Sequence, residues 1–275
     1  MGTESERGLS DEVLIRDAIR IAEEGEKFGV HLRLLGALAI WVHSSEYEGL
    51  HTSLNRLDQI STTFTDIDFI GYQKQSSGIR KLFEKQLNFQ PDKHVLFLHR
   101  KQRLLYYHPD GLYHIDIFLD TLNFSHQIVF GSNPKKGRLQ LDFPTVSLAD
   151  LLLAKLQIHE ITEKDIKDLI VLLRAHKLGF RDEKEVINLE YVSSILSDDW
   201  GFWFDAKTNL EKVKVYGRQY RETGILSTLD LANVVEKVNQ TLSALDTTPK
   251  PKKWQKRAVQ GTNKPWWRDV EEIHR

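Results

Sequence analysis

Thr63-Phe-Thr-Asp66-Ile-Asp68-Phe-Ile70 is the stretch on which the fold turns. Its polar and apolar residues alternate, which is the pattern of a half-buried strand. A period of two sends the Asp66 and Asp68 side chains to one face, with Ile67, Phe69 and Ile70 around them. Two carboxylates held side by side on such a strand repel each other, and a cation between them relieves the repulsion. Mg2+ and similar hard divalent ions take oxygen ligands, commonly one or two carboxylates together with substrate phosphates. Taken alone, Asp-x-Asp also suits a solvent-facing strand or a loop edge.

The flanking sequence extends this pattern. Upstream, Val30–Leu35 reads as a strand, Gly36 follows directly, and Ala37–Val42 reads as the start of a helix. A glycine at a strand-to-helix junction lets a phosphate approach backbone N–H groups at the positive end of the helix, although an ordinary tight turn has the same composition. Before it, Ser10 is placed to cap a helix running to about Lys27, and residues 1–9 are expected to be disordered. Downstream, residues 45–62 read as a loop and Ser76–Leu87 as a helix. Val95–Leu98, Arg103–Tyr107 and Leu112–Leu119 read as strands of an antiparallel meander joined to the first two. The turn His108-Pro109-Asp110-Gly111 separates the last pair. Asp116, in Ile115-Asp116-Ile117-Phe118, is again a lone acid in an apolar strand. Beside Asp66 and Asp68 it completes a three-carboxylate cluster able to hold two metals about 4 Å apart. Asp120 falls on the same strand face, as a substitute for Asp116 or a solvated strand end. His114 precedes Asp116 by two, as an aid to proton transfer or an ordinary half-buried residue.

After residue 145 the pattern turns helical. Ser147 is placed to cap Leu148–Glu160, and Thr162, with Asp165 three positions on, to cap Asp165–Ala175. Residues 181–246 read as further helix with an aromatic knot, Trp200-Gly-Phe-Trp-Phe204. From Pro249 the chain becomes basic and Trp-rich, either an arm that binds nucleic acid or a tail that docks its tryptophans. The expected organisation is a core over 1–145, a helical domain over 146–248 and the tail over 249–275. The fold class is α/β (α+β), a mixed sheet flanked by helices and followed by a helical C-terminal part.

Composition narrows the function classes. The net charge of -1 over 275 residues gives no global signal for nucleic acid or membrane, so any such signal is local. The absence of cysteine removes disulfides, thiolate metal sites and cysteine nucleophiles. The opening MGTESERGLSDE lacks the basic and apolar regions of a secretory signal, and no apolar run approaches a membrane span, so a cytoplasmic location is expected. There is no HExxH, G-x-S-x-G or P-loop pattern.

The motif set resembles the nucleotidyltransferase superfamily, which includes DNA polymerase beta and minimal bacterial nucleotidyltransferases. The resemblance is carried by Leu34-Leu35-Gly36-Ala37, Thr65-Asp66-Ile67-Asp68-Phe69 and Ile115-Asp116-Ile117. It implies the polymerase-beta-like sheet, with Asp66 and Asp68 on two Mg2+ or Mn2+ ions. Asp116 would bind one of these ions and help activate an acceptor hydroxyl, and Gly36 would approach the triphosphate of an NTP such as ATP. Ala37 stands where a second Gly or Ser is usual, a change that a backbone contact tolerates. Leu148–Leu156 with Lys155, then Glu163-Lys-Asp165-Ile-Lys-Asp168-Leu169, with Thr65 before the acids, is similar to AbiEii-type toxins of toxin–antitoxin systems. That likeness implies Lys155 on the triphosphate, Asp165 or Asp168 orienting it or the base, RNA or tRNA as acceptor, and an antitoxin partner. Lys155 also suits a surface lysine lying along its helix. An antibiotic acceptor, protein AMPylation and a non-catalytic nucleotide-binding module are the other readings.

Overall fold

The computed structural model describes residues 10–57 and 63–269. The disorder expected for residues 1–9 lies outside that range. The fold is mixed α/β, and its contacts divide the chain into two units. The first comprises residues 1–42, 55–122 and 129–146, and the second residues 43–54, 123–128 and 147–275.

The first unit opens with α1 (Asp11–Lys27), whose Leu14, Ala18, Ile21 and Ala22 are buried at helical spacing. Ser10 precedes it without a side-chain cap bond. Then come β1 (Leu32–Leu34) and α2 (Gly36–His43). Residues 48–54, expected in a loop, form the short helix α3 (Glu48–Leu54), which belongs to the second unit. β2 (Ile67–Gly71), α4 (Ser76–Lys81) and a π-type turn (Leu82–Gln86) follow, then β3 (Gln90–Pro91), α5 (Lys93–Leu98), β4 (Arg103–Tyr107) and β5 (His114–Leu119).

The five strands make one sheet in the order β1-β2-β5-β4-β3. β2 and β5 run parallel, and the β1–β2, β5–β4 and β4–β3 pairs are antiparallel. The sheet is therefore mixed, as expected, with β3, β4 and β5 antiparallel and β5 joined to β2 in parallel. Residues 95–98 were expected as a strand but are helical. Asp92 caps them by accepting from the His94 and Val95 amides, at 2.9 Å each, and a four-residue apolar run has no period that separates strand from helix.

β2 is shorter than its alternation suggested. Asp11 accepts from the amides of Thr63 and Phe64, while β1 ends opposite Phe69 where the chain turns at Gly36. Thr63 and Phe64 thus have a side-chain partner in place of a strand, and β2 begins at Ile67, one residue after Asp66.

In the second unit, the β6 (Thr121–Asn123) and β7 (Gln127–Val129) hairpin brings in residues 123–128. α6 (Leu148–Leu156) is capped by Ser147, and α7 (Glu163–Ala175) follows. β8 (Lys177–Gly179) and β9 (Val186–Asn188) pair in parallel. The rest is helical: α8 (Leu189–Asp198), α9 (Trp200–Glu222), α10 (Thr228–Thr247) and α11 (Lys252–Gln260). Val192, Leu196, Phe202, Leu210, Val234 and Val238 form much of this unit's core. No helix among the described residues is long and apolar enough to cross a membrane.

The tail does not hang free of this unit. Asp205, on α9 and 3% exposed, accepts from His126 Nε2 (2.7 Å), His159 Nδ1 (2.9 Å) and Trp266 Nε1 (2.9 Å). Burial pushes its carboxyl pKa up, but the three donors outweigh burial and hold it below the usual value. Trp267 stacks on His159, and the Arg257 guanidinium lies over Trp200. Gly201 makes room for this docking, because a Cβ there would sit 2.6 Å from the Trp266 carbonyl oxygen. Changing Asp205 to Ala strands three donors, and each buried orphan costs about 1–3 kcal/mol. The variant should melt earlier than the wild type and be clipped by protease after residue 260. Clipping at the wild-type rate would show that the cluster does not anchor the arm.

Candidate carboxylate site

The parallel register of β2 and β5 sets Asp68 directly against Asp116, at the strand spacing of about 4.8 Å. On the other side of β5, Asp116 faces Leu105 of β4. Alternation then places Arg103, two residues from Leu105, on the same sheet face. Arg103 forks onto Asp116, with Nε donating to Oδ1 at 2.5 Å and a terminal nitrogen donating to Oδ2 at 2.6 Å. The Asp116 side chain is 3% exposed and that of Arg103 21%. The guanidinium lies 5.2 Å from the Phe118 ring centroid. Burial works against the Arg103 charge, but the Asp116 hydrogen bonds and charge, with Asp68 further off, outweigh it and raise its pKa.

Gly36 completes the other edge. It adopts φ +67 and opens α2. A Cβ at this position would lie 3.0 Å from Asp68 Oδ2, so a side chain here would be strained in its backbone and would crowd the carboxylate. Ala37 follows, half-buried, in the first turn of α2.

The structure brings Asp68, Asp116 and Gly36 together. It places Asp66 differently, ahead of the strand, with its Oδ2 3.6 Å from His114 Nε2 and its Oδ1 accepting from the Thr65 hydroxyl at 3.1 Å. His114 Nε2 is buried and makes no hydrogen bond. Asp120 is a backbone clip: at φ 62 it accepts from the Gln73 amide at 3.0 Å. Among the described residues no three His, Cys, Asp or Glu side chains are arranged to hold a metal ion. Asp66 stands one residue before β2, beside His114, and Asp116 is held by Arg103. Asp68 is a hard oxygen donor whose Oδ2 lies against the Gly36 turn, and carboxylates of this kind are ligands of divalent cations accompanied by phosphate oxygens.

Lys155 and Asp168 lie in the second unit. Lys155 Nζ is 2.7 Å from Asp165 Oδ1 and 2.7 Å from Asp168 Oδ2, and all three side chains are at least nine-tenths buried. Asp165 also accepts from the Thr162 hydroxyl at 2.6 Å. Lys155 is therefore not a surface lysine. The helix lysine and the Asp-x-x-Asp pair thus form a buried ion triad joining α6 to α7.

Arg103 was not singled out from the sequence, although the hairpin turn carried the signal. The turn fixes Tyr107 against His114, and counting back along both strands puts Leu105 against Asp116 and Arg103 on the diagonal, within reach of a long side chain.

No protein-family model matches the sequence, and no curated protein matches it. Among solved structures the chain is similar to an antigenic nucleotidyltransferase-like protein from Paracoccidioides brasiliensis. The identity is 14%, over 89% of this chain and 97% of that one, with a TM-score of 0.37. A likeness at that level says nothing of function.

Proposed function

We propose that the chain is a metal-dependent nucleotidyltransferase that moves a nucleoside monophosphate from an NTP to a hydroxyl of an RNA acceptor. One observation carries this reading: the register that sets Asp68 against Asp116 beside a glycine turn that leads into a helix. Asp68 would hold the cation. The backbone at Gly36 and Ala37, at the start of α2, is suited to phosphate oxygens. A bound divalent ion would supply compensation for the charge of the triphosphate. Positioning and fixed charge would provide most of the rate.

Support for RNA comes from the exposed Lys252, Lys253 and Lys256 on α11, with Lys264 and Arg268 beyond it. Lys253 pairs with Asp198 at 2.5 Å, an exposed contact that phosphates can displace. Trp254 and Trp266 pack against Trp203 and Trp200, and Trp267 stacks on His159. The basic segment would therefore act through charge more than through base stacking.

The decisive experiment supplies each α-32P-labelled NTP with Mg2+ or Mn2+ and total RNA, with antibiotic and protein acceptors in parallel. Label in RNA, falling steeply with salt, is the expected result. Label only in a small molecule or a protein would replace the acceptor. The Arg103 fork on Asp116 favours a second reading, a nucleotide-binding module without turnover, which would retain NTP and transfer no label to any acceptor.

A further inference from the structure

We propose that α5 and the turn after it form the surface on which a single-stranded RNA acceptor lies, with Phe97 stacking on an unpaired base and Lys93, Arg100 and Lys101 meeting phosphates. The inference rests on the RNA reading above and deepens it. From Lys93 through Pro109 the sequence holds no acid, while Lys93, Arg100, Lys101 and Arg103 are cationic, in a chain whose net charge is -1. A local excess of positive charge is what draws a polyanion. The acid that precedes the stretch, Asp92, is occupied as the helix cap and by the Tyr107 hydroxyl at 3.0 Å. Val95 is buried and anchors the inner side of α5. Two residues on, about 200° round the helix, Phe97 is 82% exposed, and Leu98 beside it is 54% exposed. Lys93, His94, Arg100 and Lys101 on the same segment are exposed as well. Cations that follow a backbone, with an aromatic ring whose face accepts any base, are the two parts of a single-strand binding surface. A lipid surface would draw on the same charges, but one phenylalanine and one leucine offer it little apolar area, whereas one exposed ring suffices to stack a base.

This surface is built into the strand that carries the carboxylate site. The His99 carbonyl accepts from the Gln102 and Arg103 amides, at 2.7 and 2.9 Å, and the Gln102 carbonyl accepts from the Leu119 amide at 2.9 Å. α5 therefore passes through a tight turn directly into β4, and the turn is stitched to the end of β5. Arg103, the first residue of β4, forks onto Asp116. Gln102 is three residues from Leu105, which faces Asp116, so the turn lies about 10 Å from that register along the strand. An RNA held on α5 has its hydroxyls within a short reach of the Asp68–Asp116 pair. It also gains the base stacking that the docked tryptophans of the tail do not provide.

The test titrates the full chain into a fluorescent, unstructured RNA of roughly 12 nucleotides and follows anisotropy at several salt concentrations. Phe97→Ala is expected to weaken binding about tenfold with the salt slope unchanged. Arg100→Gln combined with Lys101→Gln is expected to weaken binding and to lower the slope of log K against log salt by about 1.4, two phosphate contacts at about 0.7 each. The three positions are exposed, and circular dichroism checks that the variants are folded. Wild type cross-linked by ultraviolet light to a 4-thiouridine RNA should carry the link within residues 93–101, a readout that needs no variant. Vesicles of phosphatidylserine and phosphatidylcholine should leave the protein in solution. Wild-type affinity in both variants, or cross-links confined to other segments, would overturn the proposal and leave the functional reading standing. Vesicle binding that Phe97→Ala abolishes, with RNA binding unchanged, would replace the RNA by a lipid surface. A wild type that binds no RNA sinks the proposal, and if it also transfers no label to RNA, the acceptor of the functional reading falls with it.

Discussion

Lys155→Met should lower the stability of the protein by about 3–5 kcal/mol at neutral pH, the cost of removing one partner from a buried ion pair. The variant leaves Asp165 and Asp168 facing each other with the ammonium gone from a point 2.7 Å from each. In the wild type, burial pushes the Asp165 carboxyl up, but the Lys155 charge and hydrogen bond and the Thr162 hydroxyl outweigh it and hold the pKa at about 2. A carboxyl depressed on folding contributes stability above its unfolded pKa of about 3.9. That contribution disappears as the pH falls through about 2. In the variant the Asp165 carboxyl, buried and without the ammonium, relieves the repulsion by taking up a proton. The deficit should therefore be largest at pH 7 and shrink on acidification toward pH 4. Urea denaturation of both proteins at the two pH values measures it. An equal deficit at both would mean that lost packing of the lysine stem, not charge, is responsible.

Asp68→Asn should abolish most nucleotidyl transfer, by about 100-fold or more, the usual scale for removing a group that stabilises developing charge. The substitution preserves the size of the side chain, so the sheet should form, with its Gly36 turn unchanged. Asp66→Asn should have a smaller effect, because Asp66 lies ahead of β2 and next to His114 and not in the Asp68–Asp116 register. Initial rates with a labelled NTP, measured beside far-ultraviolet spectra, distinguish chemistry from folding. Equal losses in the two variants would mean that Asp66 and Asp68 act as a pair, and the geometry proposed for the site would be wrong.

Much of the site could be read from alternation and one turn. A two-residue period fixes which face Asp68 and Asp116 occupy, and a glycine after an apolar strand marks the bend into α2. What escaped depended on partners distant in sequence. Nothing local shows that Asp11 takes the amides of Thr63 and Phe64, at the start of the alternating stretch. Val95–Leu98 is too short to display either period, and its helical form follows from the Asp92 cap. Arg103 is visible only after the β4–β5 register is counted out from the hairpin. Lys155 reads equally well as surface or site, because its position on α6 does not reveal the two carboxylates that α7 presents to it.

The docking of Trp266 against Gly201 has an evolutionary consequence. With the tryptophan's carbonyl oxygen 2.6 Å from where a methyl group would begin, α9 and the arm cannot drift independently. A lineage that acquires a side chain at position 201 must rebuild or discard the segment around 266, and a lineage that loses that segment is released to substitute the glycine. In an alignment of homologues, these two positions would then vary together.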